Sequence, residues 1–303
     1  MGANNDFQKI DLNDYIQTGE GGTALAYTHR NGKSLAKLYN PDFDANTIKN
    51  EFWASRTAFE LGISTPEPYR LITDGKRFGG EYELIEGKRF GGEYELIEGK
   101  RSFSRIISQE PERLEEISLE FARMARELHA TKADTSRLKS YKQMITKFYS
   151  EEDFVPEDYR NRILKFLDKV PDTETCLHGD LQIGNAITDG KRTLWIDLGG
   201  FGYGAPEWDL ALMWNLAHMP DADKLDFLFH LPSETMKAHW NIFFSAYLGT
   251  NDKQQIEEAT RRLPLFAAAK IPYMFGIAFH KNVPEEFFAF LTQMLDQSDT
   301  GKE

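Results

Sequence analysis

Along the first hundred residues, apolar positions fall in short runs broken by turn residues. Residues 25–29 and 34–38 flank Asn31-Gly32, and residues 69–73 precede Asp74-Gly75, so this stretch predicts antiparallel hairpins. One longer period interrupts them: residues 45–61 read as a helix closed by Gly62 and Pro66. After Gly99 the period changes. Pro111 stands at a first helical turn, and Leu114, Ile117, Phe121, Met124 and Leu128 recur at three and four residues, which predicts an amphipathic helix ending near His129. Further helical patterns cover residues 142–149, 157–169, 207–218, 233–248, 252–260 and 284–296. The main interruption is a pair of β-prone runs, 185–188 and 193–196, around Asp189-Gly190. The pattern predicts an α+β protein: a small antiparallel β-sheet lobe with one helix over residues 1–98, and a larger, mainly helical lobe over residues 99–303.

One segment repeats. Residues 75–86 recur without change as residues 87–98, and Gly99-Lys100-Arg101 begins a third copy. Two copies of this length cannot build a repeat architecture, so recent duplication or a sequencing artefact explains the identity better than function does. An extra antiparallel strand would leave the chain at the wrong end of the sheet. One copy is therefore expected to be looped out, at a cost of only about 0.6 kcal/mol per doubling of loop length, and the second, contiguous with the helical lobe, to keep the strand position.

Composition changes the picture by exclusion. The formal net charge of -12 argues against a sequence-independent grip on nucleic acid or an anionic membrane surface. No apolar run approaches membrane-spanning length, and the amino terminus lacks the hydrophobic core of a signal peptide, so a cytoplasmic protein is expected. The single cysteine, Cys176, leaves no disulfide within the chain and reads as a small buried hydrophobe.

The chemistry concentrates around His178-Gly179-Asp180. Asn185 follows five residues after Asp180, and Asp197 twelve residues after Asn185. These are the side chains a phosphoryl-transfer site needs: one carboxylate for the attacking hydroxyl, plus one amide and one carboxylate to hold divalent metal on a nucleoside triphosphate. The hairpin around Asp189-Gly190 would bring Asn185 and Asp197 to the same end of two paired strands. The small lobe supplies the complement. Gly19, Gly21 and Gly22 precede a strand, where backbone amides freed of side chains could close over the phosphates. Lys37 lies on the next strand, where a lysine reaches the α- and β-phosphates. Glu51, near the start of the following helix, is the preferred anion to orient Lys37, with Glu60 as the alternative. The adenine is expected against the backbone of the segment joining the lobes, at Leu96, Ile97 and Glu98, or at residues 83–87 if the first copy is the connector.

The run His178-Gly-Asp180-Leu-Gln-Ile-Gly-Asn185, followed by Ile196-Asp197-Leu-Gly-Gly and by Pro206-Glu-Trp-Asp209, resembles the aminoglycoside phosphotransferase and choline kinase superfamily. Leu128-His129 at a helix end is similar too. The resemblance implies a two-lobed protein-kinase-like fold with Asp180 as catalytic base and Asn185 and Asp197 as magnesium ligands. It also implies Asp209 as a buried brace for the catalytic loop. The chain departs from the family pattern at Ala24, Gln182 and Ala205, and none of these departures removes a charge the chemistry requires.

Ala205-Pro206-Glu207 mimics the close of a protein-kinase activation segment, but it begins only eight residues after Asp197. At about 3.3 Å per residue this leaves no room for a regulatory loop and a peptide platform, so a small hydroxyl-bearing acceptor is expected instead of a protein. Aromatic residues are frequent after Asp209, among them Trp214, Trp240, Phe243, Phe244, Tyr247, Tyr273, Phe275 and Phe279. Most belong in a core, and a minority could cage an amine; Asp226, Glu285 and Glu286 could attract one. The expected activity is therefore transfer of the γ-phosphate of ATP, with GTP as second choice, and Mg2+ to a small, cationic or sugar-like alcohol. The competing expectation is a nucleotide-binding pseudokinase of the same fold.

Overall fold

The computed structural model describes residues 6–20, 23–85, 102–218, 231–278 and 285–300. The chain divides into two compact units, residues 1–113 with 183–201, and residues 114–182 with 202–303.

The first unit is built on a sheet of β1 (Gln8–Lys9), β2 (Tyr15–Glu20), β3 (Ala24–His29), β4 (Ser34–Tyr39), β5 (Pro68–Thr73) and β6 (Phe78–Glu83). Their order is β1-β5-β6-β4-β3-β2, antiparallel throughout except for the short β1–β5 pair. Alternation along β4 explains its two faces. Ala36 and Leu38 pack with Tyr15, Tyr27 and Ile72 on one side, while Tyr39 packs with Ile48 and Phe52 of α1 (Ala45–Glu60) on the other. Lys37 shares the Tyr39 face by parity. Helix α1 starts where the Asp44 side chain accepts the amides of Asn46 and Thr47.

The strand position beside β4 falls to the first copy of the repeat, not the second. β6 pairs with both β4 and β5, so both of its edges are filled. The reason is local: Asp74 accepts the amides of Lys76 and Arg77 and turns the chain straight back onto β5. Gly79 is required there, because a Cβ would meet the Lys37 carbonyl oxygen. The connector residues Leu96, Ile97 and Glu98 lie outside the described residues, as do Gly21 and Gly22.

The short helix α2 (Phe103–Gln109), capped by Ser102, completes this unit with β8 (Ala186–Thr188) and β9 (Thr193–Trp195). Backbone bonds tie the later segment to the earlier one: the Trp195 amide donates to Ser64 O at 2.8 Å. Ile85 packs with Ile187 and Leu194.

The second unit holds α3 (Leu114–Ala130), α4 (Tyr141–Glu151), α5 (Glu157–Leu167) and α6 (Glu207–His218). It continues with α7 (Ser233–Leu248), α8 (Lys253–Thr260), α9 (Leu263–Tyr273) and α10 (Glu285–Thr300). A two-stranded pair joins β7 (Cys176–Leu177) to β10 (Gly202–Tyr203). Its core gathers Tyr141, Phe148, Tyr149, Ile163, Trp208 and Phe266. Cys176 is fully buried, and burial pushes its thiol up to about 11, so it packs as a hydrophobe. Trp240, Phe243 and Phe244 are core residues as well. Asp226, Phe279 and the side chains of Glu285 and Glu286 lie outside the described residues. No helix among the described residues is long and apolar enough to cross a membrane.

Candidate active site

In the first unit the β8–β9 hairpin sets the geometry. Asp189 accepts the amides of Lys191 and Arg192, and Gly190 adopts φ +83°, which closes the turn. Ala186 then faces Trp195, and the Ile196 amide donates to Asn185 O at 3.0 Å. Asn185 and Asp197 thus stand at the same end of the paired strands. Asn185 is buried, at 4% exposure, while the Asp197 side chain is half exposed. Asp197 is the one described non-glycine residue with positive φ, at +56°. A left-handed aspartate is a backbone strain of the kind found where a side chain must be aimed.

Lys37 reaches this aspartate. Its Nζ lies 2.6 Å from Asp197 Oδ1 and 3.3 Å from Glu51 Oε1, and the Tyr39 hydroxyl donates to the same Glu51 oxygen. Of Glu51 and Glu60, Glu51 is the one in contact with Lys37, whereas Glu60 pairs with Arg56. Burial works against the Lys37 ammonium, yet the carboxylates of Asp197 and Glu51 outweigh it and hold its pKa well above the ordinary lysine value. Gly199 completes the fit: a Cβ there would come within 2.7 Å of the Glu51 carboxyl carbon. A pocket beside this cluster is lined by Leu35, Leu84, Ile85, Ile187 and Ile196 together with Lys37, Glu51, Tyr82 and Asp197. Apolar walls of this kind suit a flat base, and the charged end suits phosphate. Gly19 sits at an irregularity of β2, opposite Ala26 of β3.

In the second unit, His178-Gly179-Asp180 forms a tight loop after β7. Gly179 takes φ +88°, which a side chain would disfavour, and the Asp180 amide donates to His178 Nδ1 at 3.3 Å. Asp209 of α6 is fully buried beneath it. Its Oδ2 accepts the His178 amide at 2.7 Å and its Oδ1 the Gly179 amide at 2.9 Å. His129 Nε2 lies 3.2 Å from Oδ2, and the Tyr247 hydroxyl meets His129 Nδ1 at 2.8 Å. Burial alone would raise the Asp209 carboxyl, but the His129 bond and the Lys270 charge hold it down at about 2. Sequence reasoning missed Lys270 and the pocket residue Tyr82. A lone lysine in the apolar run Phe266-Ala-Ala-Ala-Lys270-Ile-Pro272 was the available signal for the first; nothing local marks the second.

An antiparallel sheet with a paired lysine and glutamate, a left-handed aspartate beside them and a braced H-G-D loop define a phosphotransferase of the protein-kinase-like fold. The chain belongs to the phosphotransferase enzyme family (APH), which matches residues 20–227. No curated sequence matches it significantly. Among solved structures, it is similar to the Plasmodium vivax ethanolamine kinase, with 16% identity and TM-score 0.58, over 95% of this chain and 83% of that one. It is similar to the aminoglycoside phosphotransferase APH(4)-Ia, with 12% identity and TM-score 0.58, over 95% and 92%. It is also similar to the amicoumacin kinase hAmiN, solved with AMP-PNP and Ca2+, with 16% identity and TM-score 0.52, over 98% and 91%.

Proposed function

We propose that the chain is a kinase of a small hydroxylated molecule, transferring the γ-phosphate of ATP to an alcohol. The observation that carries the reading is the convergence of Glu51 and Asp197 on Lys37 at the charged end of an apolar pocket. Leu35, Ile187 and Ile196 would enclose the base, with the backbone of residues 83–85 as its polar edge. That edge belongs to the first copy of the repeat. Glu51 would hold Lys37 extended toward the α- and β-phosphates.

An amide and a carboxylate at adjacent strand ends are hard oxygen donors, and they fit a magnesium ion. Asn185 and Asp197 would hold it. When bound, the ion neutralises charge developing on the transferred phosphoryl group. Asp180 would accept the proton of the acceptor hydroxyl, and Asp209 would fix the backbone that carries it. The complexes and names of the structural neighbours, which include AMP-PNP and ethanolamine, support a nucleotide donor and a small acceptor. The net charge of -12 suits a cationic one.

The test is ADP release by the purified protein across aminoglycosides, choline, ethanolamine, amino alcohols and sugars. Release dependent on one acceptor class, and abolished in Asp180→Asn, is the expected result. Nucleotide binding without turnover on any acceptor would favour a pseudokinase.

A further inference from the structure

Beneath the His178-Gly179-Asp180 loop lies a cation that the phosphoryl-transfer reading does not use. Lys270 of α9 is 1% exposed, between Ala269 and Ile271 in an otherwise apolar helix. An ammonium in such a place is costly unless it is paired, so what it faces matters. Its Nζ donates to Trp208 O at 2.8 Å, lies 3.8 Å from Asp209 Oδ1, and sits 5.3 Å from the centre of the Tyr141 ring. Those groups come from α6 and α4. The negative field of Asp180, on the loop itself, also acts on it.

Asp209 gathers its partners differently. It accepts two backbone amides and lies 3.2 Å from His129 Nε2, whose Nδ1 meets the Tyr247 hydroxyl. Backbone amides satisfy lone pairs without cancelling charge. Beside these contacts Asp209 faces the Lys270 ammonium, and the field of Lys270 favours its ionised form together with that of His129 and His178. The pair is asymmetric: burial pulls the Lys270 ammonium down despite Asp209 and Asp180, whereas Asp209, with more donors, stays ionised.

We infer that Lys270 is a positioning residue for Asp180. Its ammonium neutralises the buried Asp209, so that both carboxylate oxygens stay available to the amides of His178 and Gly179 and fix the loop that carries Asp180. The inference rests on the reading of Asp180 as the base.

The experiment compares Lys270→Met with Phe266→Leu, which trims the same core against Trp208 and beneath Arg262 without altering a charge of the Asp209 cluster. Amide hydrogen exchange is followed at His178 and Gly179, and kcat and the nucleotide KM are measured with whichever acceptor supports turnover. Relative to Phe266→Leu, Lys270→Met is expected to exchange these two amides at least tenfold faster. Its kcat should fall at least tenfold with the nucleotide KM unchanged within twofold. Exchange and kcat that follow the Phe266→Leu variant would overturn the inference. If Lys270→Met does not fold, Lys270→Gln, which can still donate to Trp208 O, takes its place. Failure of both to fold while Phe266→Leu folds would also overturn it, by giving Lys270 to the folding of the unit. Exchange needs no turnover, so a selectively loosened loop in a protein with no acceptor activity would sink the kinase reading, and with it the role of Asp180, while leaving Lys270 as the residue that fixes the loop.

Discussion

The two units each gather carboxylates around a lysine, and they treat the charges oppositely. In the first, Lys37 is shared by Glu51 and the half-exposed Asp197, leaving two negative groups to one positive. In the second, Asp209 is wholly buried and takes two backbone amides, an imidazole and an ammonium. The first cluster, proposed to receive a cation and phosphate, keeps an unbalanced, accessible charge. The second, which holds a backbone, is fully buried and gives each carboxylate oxygen a backbone amide.

This contrast can be broken by substitution. The largest effect on rate is expected from Asp180→Asn, which should lower kcat about 10²- to 10⁴-fold while leaving nucleotide affinity intact, as read by titration with a fluorescent nucleotide. Lys37→Met comes next, with a loss of about 10²- to 10³-fold and no change in the melting of the second unit. Asp209→Ala should act on stability as well as on the loop, by about 3–5 kcal/mol in denaturant melts, because it leaves Lys270 and two loop amides buried without their carboxylate.

A pH titration sharpens the same point away from either cluster. His239 is fully buried between Phe121 and Phe243, with Ser118 at Nδ1, and burial lowers its pKa from 6.5 to about 3. The folded state therefore resists a proton that the unfolded chain accepts. Its stabilising contribution is complete above about pH 6.5 and is lost as pH falls toward 3, at up to about 1.4 kcal/mol per pH unit. His239→Leu should flatten that slope in melts at pH 7, 6 and 5. The smallest effect is expected of Arg192→Ala. It removes an exposed pair with Glu83 2.9 Å away and should cost less than about 1 kcal/mol in the same melts.

Much of the fold was legible because periodicity survives in the sequence. The 207–218 and 233–248 patterns coincide with α6 and α7, and the Asn31-Gly32, Asp74-Gly75 and Asp189-Gly190 turns all close hairpins. Strand β2 and helix α9 were missed for opposite reasons. Residues 15–20 carry no clean alternation and include a register irregularity. Residues 263–273 are apolar on all sides, with prolines at Pro264 and Pro272, so no amphipathic face announces a helix. The grouping of residues 183–201 with the first unit is invisible locally, because tertiary contacts such as the Trp195–Ser64 backbone bond make it. Among the candidate residues, the placement of Lys37 and Glu51 followed from strand and helix positions, whereas Lys270 needed three-dimensional neighbours to acquire a meaning.

The repeat has an evolutionary consequence. β6 is hydrogen-bonded on both edges, and its Gly79 tolerates no side chain against Lys37 O, so one copy alone can fill that slot. Residues 78–83 answer to the packing of the whole sheet, a constraint that only one copy can meet. Segments under such unequal selection diverge, the less constrained one first. Identity at every one of the paired positions is therefore what a recent duplication or a sequencing artefact leaves behind, and not what a long-standing pair of copies under separate constraints would keep.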